Sequence, residues 1–419
     1  MMLEKIRITG LFDRFDYEIE LKAEGITILT GPNGYGKTTI LRIIDAFASG
    51  FLPFFFHLPF SGIVFVHEGT ESGIRKKEND TLEIQYGDKE PLTLNKKGVR
   101  VKIEQSLQGL GYRPAGENRW FDTKTETFHT TESLIDRLGA DNIREEWMPD
   151  FAHVYLIREQ RLIGKRPVAG KGLAGLMSFE EGAAPVNLGN TIEEDANALS
   201  VHIKGVLAEA SKTGQKLDSS FPERLFDETG SIDKEAFDER YDAIRQKQNA
   251  LSRYGLSTTR AGRHASFKPE NAKALLVYLN DTERKLAVFD GILQRLDAFS
   301  ALLDKKQFDA KRIEVSPDFG FRFRMEDGKE LPLTALSSGE QQAVVLLYEL
   351  LFQVGPDTLV LMDEPEISLH VAWQKEFLDD LSKIVALQGI RVIVATHSPR
   401  IIGAYWDWVV DLRDLSRHE

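Results

Sequence analysis

Cysteine is absent from the 419 residues of the chain, so disulfide bonds, thiol catalysis and cysteine-ligated zinc are excluded. Long apolar runs are missing as well. The nearest, residues 51–60, is too short to span a membrane and contains two prolines. Glu4, Lys5 and Arg7 interrupt the start before any apolar core of a signal peptide. We therefore expect a soluble, cytoplasmic protein that does not associate with membranes.

The chain also lacks an excess of positive charge. Its 53 Lys and Arg residues stand against 65 Asp and Glu residues, which gives a net charge of −12 with His neutral. This balance argues against a protein that coats nucleic acid by bulk charge, although a local basic groove stays compatible with it. The length suffices for two or three domains, and 42% hydrophobic residues are ordinary for a globular protein.

A glycine-rich segment, residues 31–38, matches the phosphate-binding pattern G-x-x-x-x-G-K-[ST]. It stands between a short β-rich apolar stretch and the start of an amphipathic helix. Its glycines let successive backbone N–H groups point inward around phosphates, Lys37 would reach the β- and γ-phosphates, and Thr38 would hold Mg²⁺. A glycine-rich turn with a chance Lys-Thr pair is the alternative. The candidate nucleotide-binding residues are Gly31, Asn33, Gly34, Gly36, Lys37, Thr38 and Thr39.

Further polar residues follow apolar segments elsewhere in the chain. Gln160 comes after the strand-like residues 154–157, Asp363-Glu364 end the apolar stretch 358–362, and His397 lies just beyond another strand-like stretch. The sequence Leu-Ser-Ser-Gly-Glu-Gln at 336–341 precedes a predicted apolar helix. Because ligands of open α/β sheets bind at the carboxyl ends of the strands, the carboxylates of Asp363 and Glu364 are expected to face bound phosphates.

The order of these segments resembles that of ABC-type ATPase heads. The resemblance implies an α/β fold, a P-loop NTPase core with an antiparallel β appendage and an inserted helical subdomain, and it implies ATP and Mg²⁺ as cofactors. Residues 1–163 would form the N-terminal half of the head with the appendage, and 164–310 the helical insertion with a mobile loop. Residues 311–419 would form the C-terminal half with the signature, Walker B, D-loop and H-loop segments.

The resemblance also implies roles for individual residues. Asp363 would bind Mg²⁺ through water, and Glu364 would orient or deprotonate the attacking water. His397 would contact the γ-phosphate, while Gln160 would bridge Mg²⁺ and the lytic water. The alternatives are a plain strand-end charge pair for Asp363-Glu364, a strand-end cap for His397, and Arg158 or Arg161 as the functional group in place of Gln160.

In such heads the signature segment does not serve the P-loop of its own chain. The resemblance implies that it closes over the γ-phosphate held by a second protomer, with the N-terminus of its helix directed at the phosphate. A homo-oligomer with ATP sandwiched between heads follows. Residues 366–370 would lie along that interface, although Ser368 taken alone is equally compatible with a helix cap. The signature residues assigned to nucleotide binding are Ser337, Ser338, Gly339 and Glu340.

The long insertion between Gln160 and Leu336 resembles the RecF, SMC and OLD-family branch rather than transporter heads. The strings at 217–225, 336–341 and 363–370 look like those of stand-alone ATPase subunits of PARIS-type anti-phage systems, with Septu-type as second choice. Because the sequence ends soon after residues 406–412, we expect it to lack the TOPRIM nuclease domain of OLD-family proteins. The resemblance therefore implies a separate effector nuclease, which is held by the ATPase and released when a phage protein is detected.

Two functions compete at this point. The chain is either such an ATP-gated scaffold or a RecF/SMC-like, ATP-driven DNA clamp in repair or restriction. The acidic net charge favours the scaffold, and Lys165, Arg166 and Lys171 in a glycine-rich segment are the DNA-contact candidates for the clamp. Whether the helical insertion binds DNA or protein stays open.

Local patterns add expectations about secondary structure. Residues 99–103 have the pattern of a strand, residues 192–210 and 234–251 that of helices, and a short helix is expected around 133–147. Apolar residues recur at a period close to 3.5 over 271–305, which predicts one helix of roughly 50 Å. The aromatic run at 51–60 is expected to pack in a core, with a partner-docking patch as the alternative.

Overall fold

The structure is a computed structural model that describes residues 3–109, 111–116, 119–123, 127–130, 153–157, 189–257, 267–306, 311–369 and 371–416. The chain divides into two compact units. The first comprises Met1–Asn187 and Val354–Glu419, and the second, Leu188–Gln353, lies between them in sequence.

The strands, in chain order, are β1 (Leu3–Leu11), β2 (Phe15–Glu20), β3 (Ile26–Thr30), β4 (Gly62–His67), β5 (Thr70–Lys77), β6 (Thr81–Tyr86), β7 (Leu92–Asn95), β8 (Tyr112–Pro114), β9 (Arg119–Asp122), β10 (Thr127–Thr130), β11 (His153–Ile157), β12 (Lys311–Ser316), β13 (Gly320–Met325), β14 (Glu330–Leu331), β15 (Thr358–Asp363), β16 (Arg391–Ala395) and β17 (Val409–Asp411). The α-helices are α1 (Lys37–Ser49), α2 (Pro53–His57), α3 (Lys96–Gly109), α4 (Gly189–Ser219), α5 (Phe221–Asp227), α6 (Lys234–Ser252), α7 (Ala272–Ala287), α8 (Asp290–Lys305), α9 (Ser338–Tyr348), α10 (Val371–Gln374), α11 (Phe377–Gln388), α12 (Pro399–Ile402) and α13 (Leu412–Leu415). A π-helical turn, Glu349–Gln353, follows α9, and short 3₁₀ helices cover Pro269–Asn271, Leu333–Ala335, Pro365–Ser368 and Trp406–Trp408.

A five-stranded parallel sheet, in the order β11-β15-β16-β3-β17, forms the centre of the first unit. Its inner strands are nearly continuous apolar runs and are buried along their length, as expected of parallel strands covered on both faces. The register pairs Asp363 with Ala395, Ala395 with Leu29, and Asp411 with Thr30. The carboxyl ends of four strands are therefore level at one edge.

Two antiparallel sheets complete the first unit. The larger has the order β2-β1-β4-β5-β6-β7, and the smaller has the order β10-β9-β8. Helix α1 packs Ile40, Ile44 and Phe47 into the core that it shares with the aromatic segment after it, where Phe55 is fully buried. The predicted α/β fold with an antiparallel β appendage is confirmed, and much of the 51–60 run belongs to this core.

The prediction of a strand at residues 99–103 is wrong, because these residues belong to α3. The side-chain oxygen of Asn95 accepts a hydrogen bond of 2.6 Å from the backbone N–H of Gly98, which is how a helix N-terminus is capped. Val99 and Leu107 are buried whereas Val101 is 49% exposed. The burial thus follows the period of a helix, which the short β-branched run had concealed.

The second unit combines helices α4 to α9 with the sheet β12-β13-β14. Strand β13 approaches α4 so closely that a Cβ atom on Gly320 would lie 1.7 Å from the carbonyl oxygen of Ala196, and the φ of this glycine is +72°. Glycine is therefore required there. The predicted helices at 192–210 and 234–251 are confirmed as parts of α4 and α6.

The single helix predicted over 271–305 is wrong in its continuity. The segment forms α7 and α8, which are separated by Val288 and Phe289. Leu279, Leu296 and Leu303 are all buried, so the apolar repeat marks core positions of two helices. A repeat of this kind does not require one uninterrupted rod.

The second unit also includes residues 311–353, which carry the signature segment. The predicted boundary at residue 310 stays a proposal. The predicted helix at 133–147 and the glycine-rich stretch with Lys165, Arg166 and Lys171 lie outside the described residues. None of the helices in the described part of the chain combines the length and apolarity that crossing a membrane requires.

Candidate nucleotide-binding site

The glycine-rich loop connects β3 to α1 at the carboxyl edge of the parallel sheet. Gly31, Gly34 and Gly36 all have positive φ, at 141°, 86° and 87°. A Cβ atom on Gly36 would lie 3.0 Å from Leu11 Cδ2 and 3.2 Å from Phe12 Cε2, so space and backbone both select glycine. The loop thus has the backbone conformations that a phosphate-cradling turn requires.

Lys37, the first residue of α1, is only 6% exposed. Its Nζ donates to the carbonyl oxygen of Gly31 at 2.9 Å and lies 3.4 Å from His397 Nδ1. Burial lowers the pKa of Lys37, while Glu364 and Asp363 oppose that shift. A buried ammonium beside two carboxylates is electrostatically suited to an anionic ligand that also carries a cation.

Thr38 and Asp363 meet at the start of α1 and the end of β15. The hydroxyl of Thr38 donates to Asp363 Oδ1 at 3.1 Å. Mg²⁺ prefers oxygen ligands and is usually held by one or two protein groups together with waters and substrate phosphates. The two neighbouring oxygens fit such an ion. Among the described residues there is no cluster of three or more His, Cys, Asp or Glu side chains that would bind a metal unaided.

Glu364 occupies a left-handed backbone conformation with φ of 42°, and its N–H donates to the carbonyl oxygen of Ala395 at 2.9 Å. Its Oε1 lies 3.5 Å from Nε2 of His397. Burial and the charge of Lys37 lower the pKa of His397, against the opposing effect of Glu366. The imidazole is therefore neutral at pH 7 and can accept or donate a hydrogen bond.

Glu366 ties the end of β16 to the segment after β15. Its Oε1 accepts hydrogen bonds from the hydroxyl of Thr396 and, at 3.1 Å, from the N–H of His397. Its Oε2 is buried and has no hydrogen-bond partner. Gln374 donates to the backbone carbonyl of Glu366 at 3.0 Å. The sequence patterns placed Glu366 only along a subunit interface. A third carboxylate two residues after Glu364 was the signal that could have suggested more.

Asp411 is a further carboxylate near the loop to which the sequence patterns assigned no role. Strand β17 pairs with β3 so that Asp411 lies opposite Thr30, directly before the loop. Its negative charge opposes the lowering of the Lys37 pKa. Its Oδ1 also accepts a 2.9 Å hydrogen bond from the N–H of Arg413 and so caps α13. No local pattern in the sequence links this residue to the loop.

The signature residues lie in the second unit, at the N-terminus of α9. Ser337 and Glu340 form a capping box, in which Glu340 Oε2 accepts from the N–H and the hydroxyl of Ser337 at 2.7 and 2.9 Å. Lys311 donates to Glu340 Oε1 at 2.6 Å. Burial alone would raise the pKa of Glu340, but the hydrogen bonds from Lys311 and Ser337 hold it below its usual value.

The structure therefore brings together five predicted site residues at the sheet edge: Lys37, Thr38, Asp363, Glu364 and His397. We call these five residues the sheet-edge cluster.

Other predicted site residues lie outside this cluster, and some lie outside the described residues. Asn33 is exposed in the loop, and Thr39 is half-buried in the first turn of α1. Ser338 is exposed and Gly339 half-buried at the start of α9. Gln160, Arg158 and Arg161 lie outside the described residues.

Comparison with known proteins gives partial matches. A family model described as "AAA domain, putative AbiEii toxin, Type IV TA system" matches residues 223–403, which is less than half of the chain. UvrABC system protein A of Bradyrhizobium diazoefficiens is 42% identical over 79 residues, covering 19% of this chain and 8% of that protein. Protein ea59 of Escherichia phage lambda is 37% identical over 91 residues, covering 22% and 17%. The chain thus matches only a small fraction of the length of these relatives.

Similar solved structures include an Smc head domain with an extended coiled coil, bound to the C-terminal domain of ScpA, from Pyrococcus furiosus. It has 14% identity, a TM-score of 0.37, and coverage of 98% of this chain and 92% of that one. The SMC head domain from Thermotoga maritima has 14% identity, a TM-score of 0.34, and coverage of 96% and 91%. The fold assignment rests on the sheet order and the P-loop position, and the sequence matches support an ATPase of the ABC or AAA kind.

Proposed function

We propose that this protein is a cytoplasmic ATPase that binds ATP with Mg²⁺ at the sheet-edge cluster and hydrolyses it slowly. The observation that carries the proposal is the convergence of Lys37, Asp363 and Glu364 at one sheet edge, on elements far apart in sequence. A P-loop with a buried lysine and a carboxylate beside the helix-start threonine are the parts that phosphoryl transfer from ATP uses.

The residues of the site would have different roles in binding and hydrolysis, according to their chemistry. Loop N–H groups and Lys37 would hold the phosphates, and Thr38 and Asp363 would hold Mg²⁺, which neutralises phosphate charge when bound. Glu364 would accept a proton from, or orient, the attacking water. His397 would donate a hydrogen bond to the terminal phosphate from its neutral imidazole. Gln160 stays a proposed ligand of Mg²⁺ on sequence grounds alone.

The signature segment supports the further proposal of a homo-oligomer. The helix α9 begins with exposed Ser337 and Ser338 and presents the positive end of its dipole there. We propose that this end closes over the phosphate bound by a second protomer, together with Gly339. Glu340 would act indirectly in this arrangement, by fixing the helix N-terminus through Ser337 and Lys311.

At the level of the cell, we propose that the oligomer is the sensor and scaffold of an anti-phage complex. It would hold a separate effector nuclease of the TOPRIM type and release it when a phage protein is detected. Support comes from sequence strings that resemble those of PARIS-type ATPase subunits, from the acidic net charge, and from a matching family model whose description names a putative toxin of a toxin–antitoxin system.

Light scattering after size-exclusion chromatography tests the proposal, with phosphate release followed in parallel. The samples are wild type, Glu364→Gln and the exposed control Glu24→Gln, each with and without ATP and duplex DNA. An ATPase scaffold predicts nucleotide binding, an oligomer, slow turnover and no response to duplex DNA. Turnover that duplex DNA stimulates, in an assembly that Glu364→Gln traps on the duplex, would favour the clamp instead. Absence of both nucleotide binding and turnover would reject the ATPase itself.

A further inference from the structure

The small sheet β10-β9-β8 has two faces of different character. On one face Tyr112, Trp120 and Asp122 are buried, and α3 packs against β8 behind them. Side chains of the opposite face alternate with these along the strands. A sheet packed on a core through one face normally turns polar residues outward on the other. The outward face of this sheet departs from that rule.

The outward face carries two aromatic rings in register. Phe121 of β9 pairs with Phe128 of β10, and their ring centroids are 5.2 Å apart. Phe121 is half-buried, but Phe128 is 60% exposed. A phenylalanine this exposed contributes little to folding by burial. Its position beside a second ring, tilted by 55° to it, creates an apolar surface open to solvent.

Two arginines flank this aromatic pair. Arg113 of β8 lies opposite Phe121 on the other side, and the guanidinium carbon of Arg119 lies 5.7 Å from the ring centroid of Phe128. Both arginines are exposed. Across the described residues, no carboxylate forms an ion pair with either guanidinium. The face therefore combines aromatic rings with two exposed positive charges, which suit an anionic ligand.

We propose that Arg113, Arg119, Phe121 and Phe128 form a binding surface for single-stranded nucleic acid, which we call the aromatic face. Bases stack on exposed aromatic rings of β-sheets without sequence preference, and adjacent arginines bind the backbone phosphates. The three strands span about 10 Å, since neighbouring strands lie about 4.8 Å apart. That width accommodates two or three bases, as on the sheets of known single-strand binders.

Charge decides between nucleic acid and a protein partner. An aromatic pair alone would suit a protein hot spot equally well. Two exposed arginines on the same face as the rings complement a polyanion, despite the overall charge of −12. The aromatic face lies on the appendage and does not include any residue of the sheet-edge cluster, so the proposal does not depend on ATP hydrolysis.

Fluorescence anisotropy tests the aromatic face in the full-length chain without nucleotide. The probes are labelled oligothymidylate and oligouridylate of about 12 nucleotides, which is within the site size of single-strand binders, and a duplex of equal length. We expect wild type to bind at least one single strand more tightly than the duplex. The two single strands distinguish DNA from RNA as the source of the ligand.

Substitutions then locate the binding. Phe128→Leu keeps an apolar side chain but removes the ring, and should weaken binding about tenfold, whereas Phe128→Trp should preserve it. The Arg113→Gln, Arg119→Gln double variant should weaken binding and reduce the salt dependence, by about 0.7 in slope for each phosphate that is no longer neutralised. Phe226→Leu, an exposed ring of the second unit, and the exposed Lys329→Gln are matched controls.

Three results would overturn the proposal. Wild type could fail to bind either single strand or could bind the duplex equally well. Phe128→Leu could bind as tightly as wild type, with circular dichroism showing intact folding. Light scattering could show that Phe128→Leu dissociates an oligomer while single-strand binding is absent, which would assign the aromatic face to contact with a second copy of the chain.

Discussion

Glu364 and Glu340 are both partly shielded from solvent, and each follows a conspicuous sequence segment, yet their surroundings differ. Both oxygens of Glu340 accept hydrogen bonds, from Ser337 and Lys311, and the result is a capped helix. Glu364 lies on a backbone with φ of 42°, and its Oε1 is 3.5 Å from the imidazole of His397, longer than a good hydrogen bond. Strained backbone at a charged residue is found at functional sites more often than elsewhere.

We propose that Glu340 stabilises its own element, whereas Glu364 is positioned for a ligand. The same substitution at the two sites, Glu to Gln, keeps size and hydrogen-bonding capacity but removes the charge. We therefore expect the two variants to fail in different ways. Glu364→Gln should lose ATP turnover and retain its structure, whereas Glu340→Gln should lose local stability and retain turnover.

The largest effect is expected from Glu364→Gln. The amide cannot take a proton from water, so phosphate release should fall about a thousandfold, in the range that general-base removal costs. ATP affinity should be retained, because the substitution leaves Lys37 and the loop intact. Steady-state phosphate release together with equilibrium ATP binding measures both, and Glu24→Gln controls for removing an exposed charge. Turnover at the level of Glu24→Gln would show that Glu364 has no catalytic role.

Glu366→Gln should have an intermediate effect. We propose that Glu366 is a positioning residue, since it accepts hydrogen bonds from the N–H of His397 and the hydroxyl of Thr396 and contacts no reacting atom. Displacing His397 should lower kcat between about tenfold and a hundredfold with KM nearly unchanged.

The pKa of His397 provides an independent measure of the effect of Glu366→Gln. Glu366 raises that pKa, against burial and Lys37. Removing its charge favours the neutral imidazole, so the pKa should fall further in Glu366→Gln, as followed by NMR titration. If Glu366 only stabilised the fold, Glu366→Gln would lower the stability of the protein but leave the pKa of His397 unchanged in the folded variant. An unchanged pKa together with unchanged kcat would contradict the positioning role.

The smallest effect on chemistry is expected from Glu340→Gln. Glutamine can still complete the capping box, but the ion pair with Lys311, whose side chains are 18% and 14% exposed, is removed. We expect turnover close to wild type and a local destabilisation of α9 of about 1 kcal/mol. Hydrogen exchange of the α9 amides measures it, with the exposed Glu330→Gln as control. A loss of turnover as large as that of Glu364→Gln would place Glu340 in the site.

Much of the sheet-edge cluster was predictable because its signals are local. The loop pattern, the apolar run ending in Asp363-Glu364, and the strand ending before His397 each fit within a few residues of sequence. The side of the sheet on which they meet then follows from parallel strand topology. The local patterns and the parallel topology were therefore sufficient to predict the positions of Lys37, Thr38 and the two carboxylates at the sheet edge.

The features that escaped prediction depend on contacts between distant residues. Glu366 meets Thr396 across 30 positions, and Asp411 reaches the loop only because β17 pairs with β3. The exposure of Phe128 was not predicted from the sequence, because aromatic residues in strands usually pack on a half-buried surface. In α3, the β-branched residues led to the prediction of a strand, although Asn95 caps the start of a helix there. These cases require the register and packing that only the fold supplies.

Equilibrium binding of ATP to wild type and Lys37→Ala, with and without Mg²⁺, tests the central claim most directly, with the exposed Lys329→Ala as control. We expect wild type and Lys329→Ala to bind alike and more tightly with Mg²⁺. Lys37→Ala should weaken binding about a hundredfold, as removing charged hydrogen bonds to phosphate does. Equal affinity of Lys37→Ala and wild type would contradict the assignment of the sheet-edge cluster as a nucleotide site.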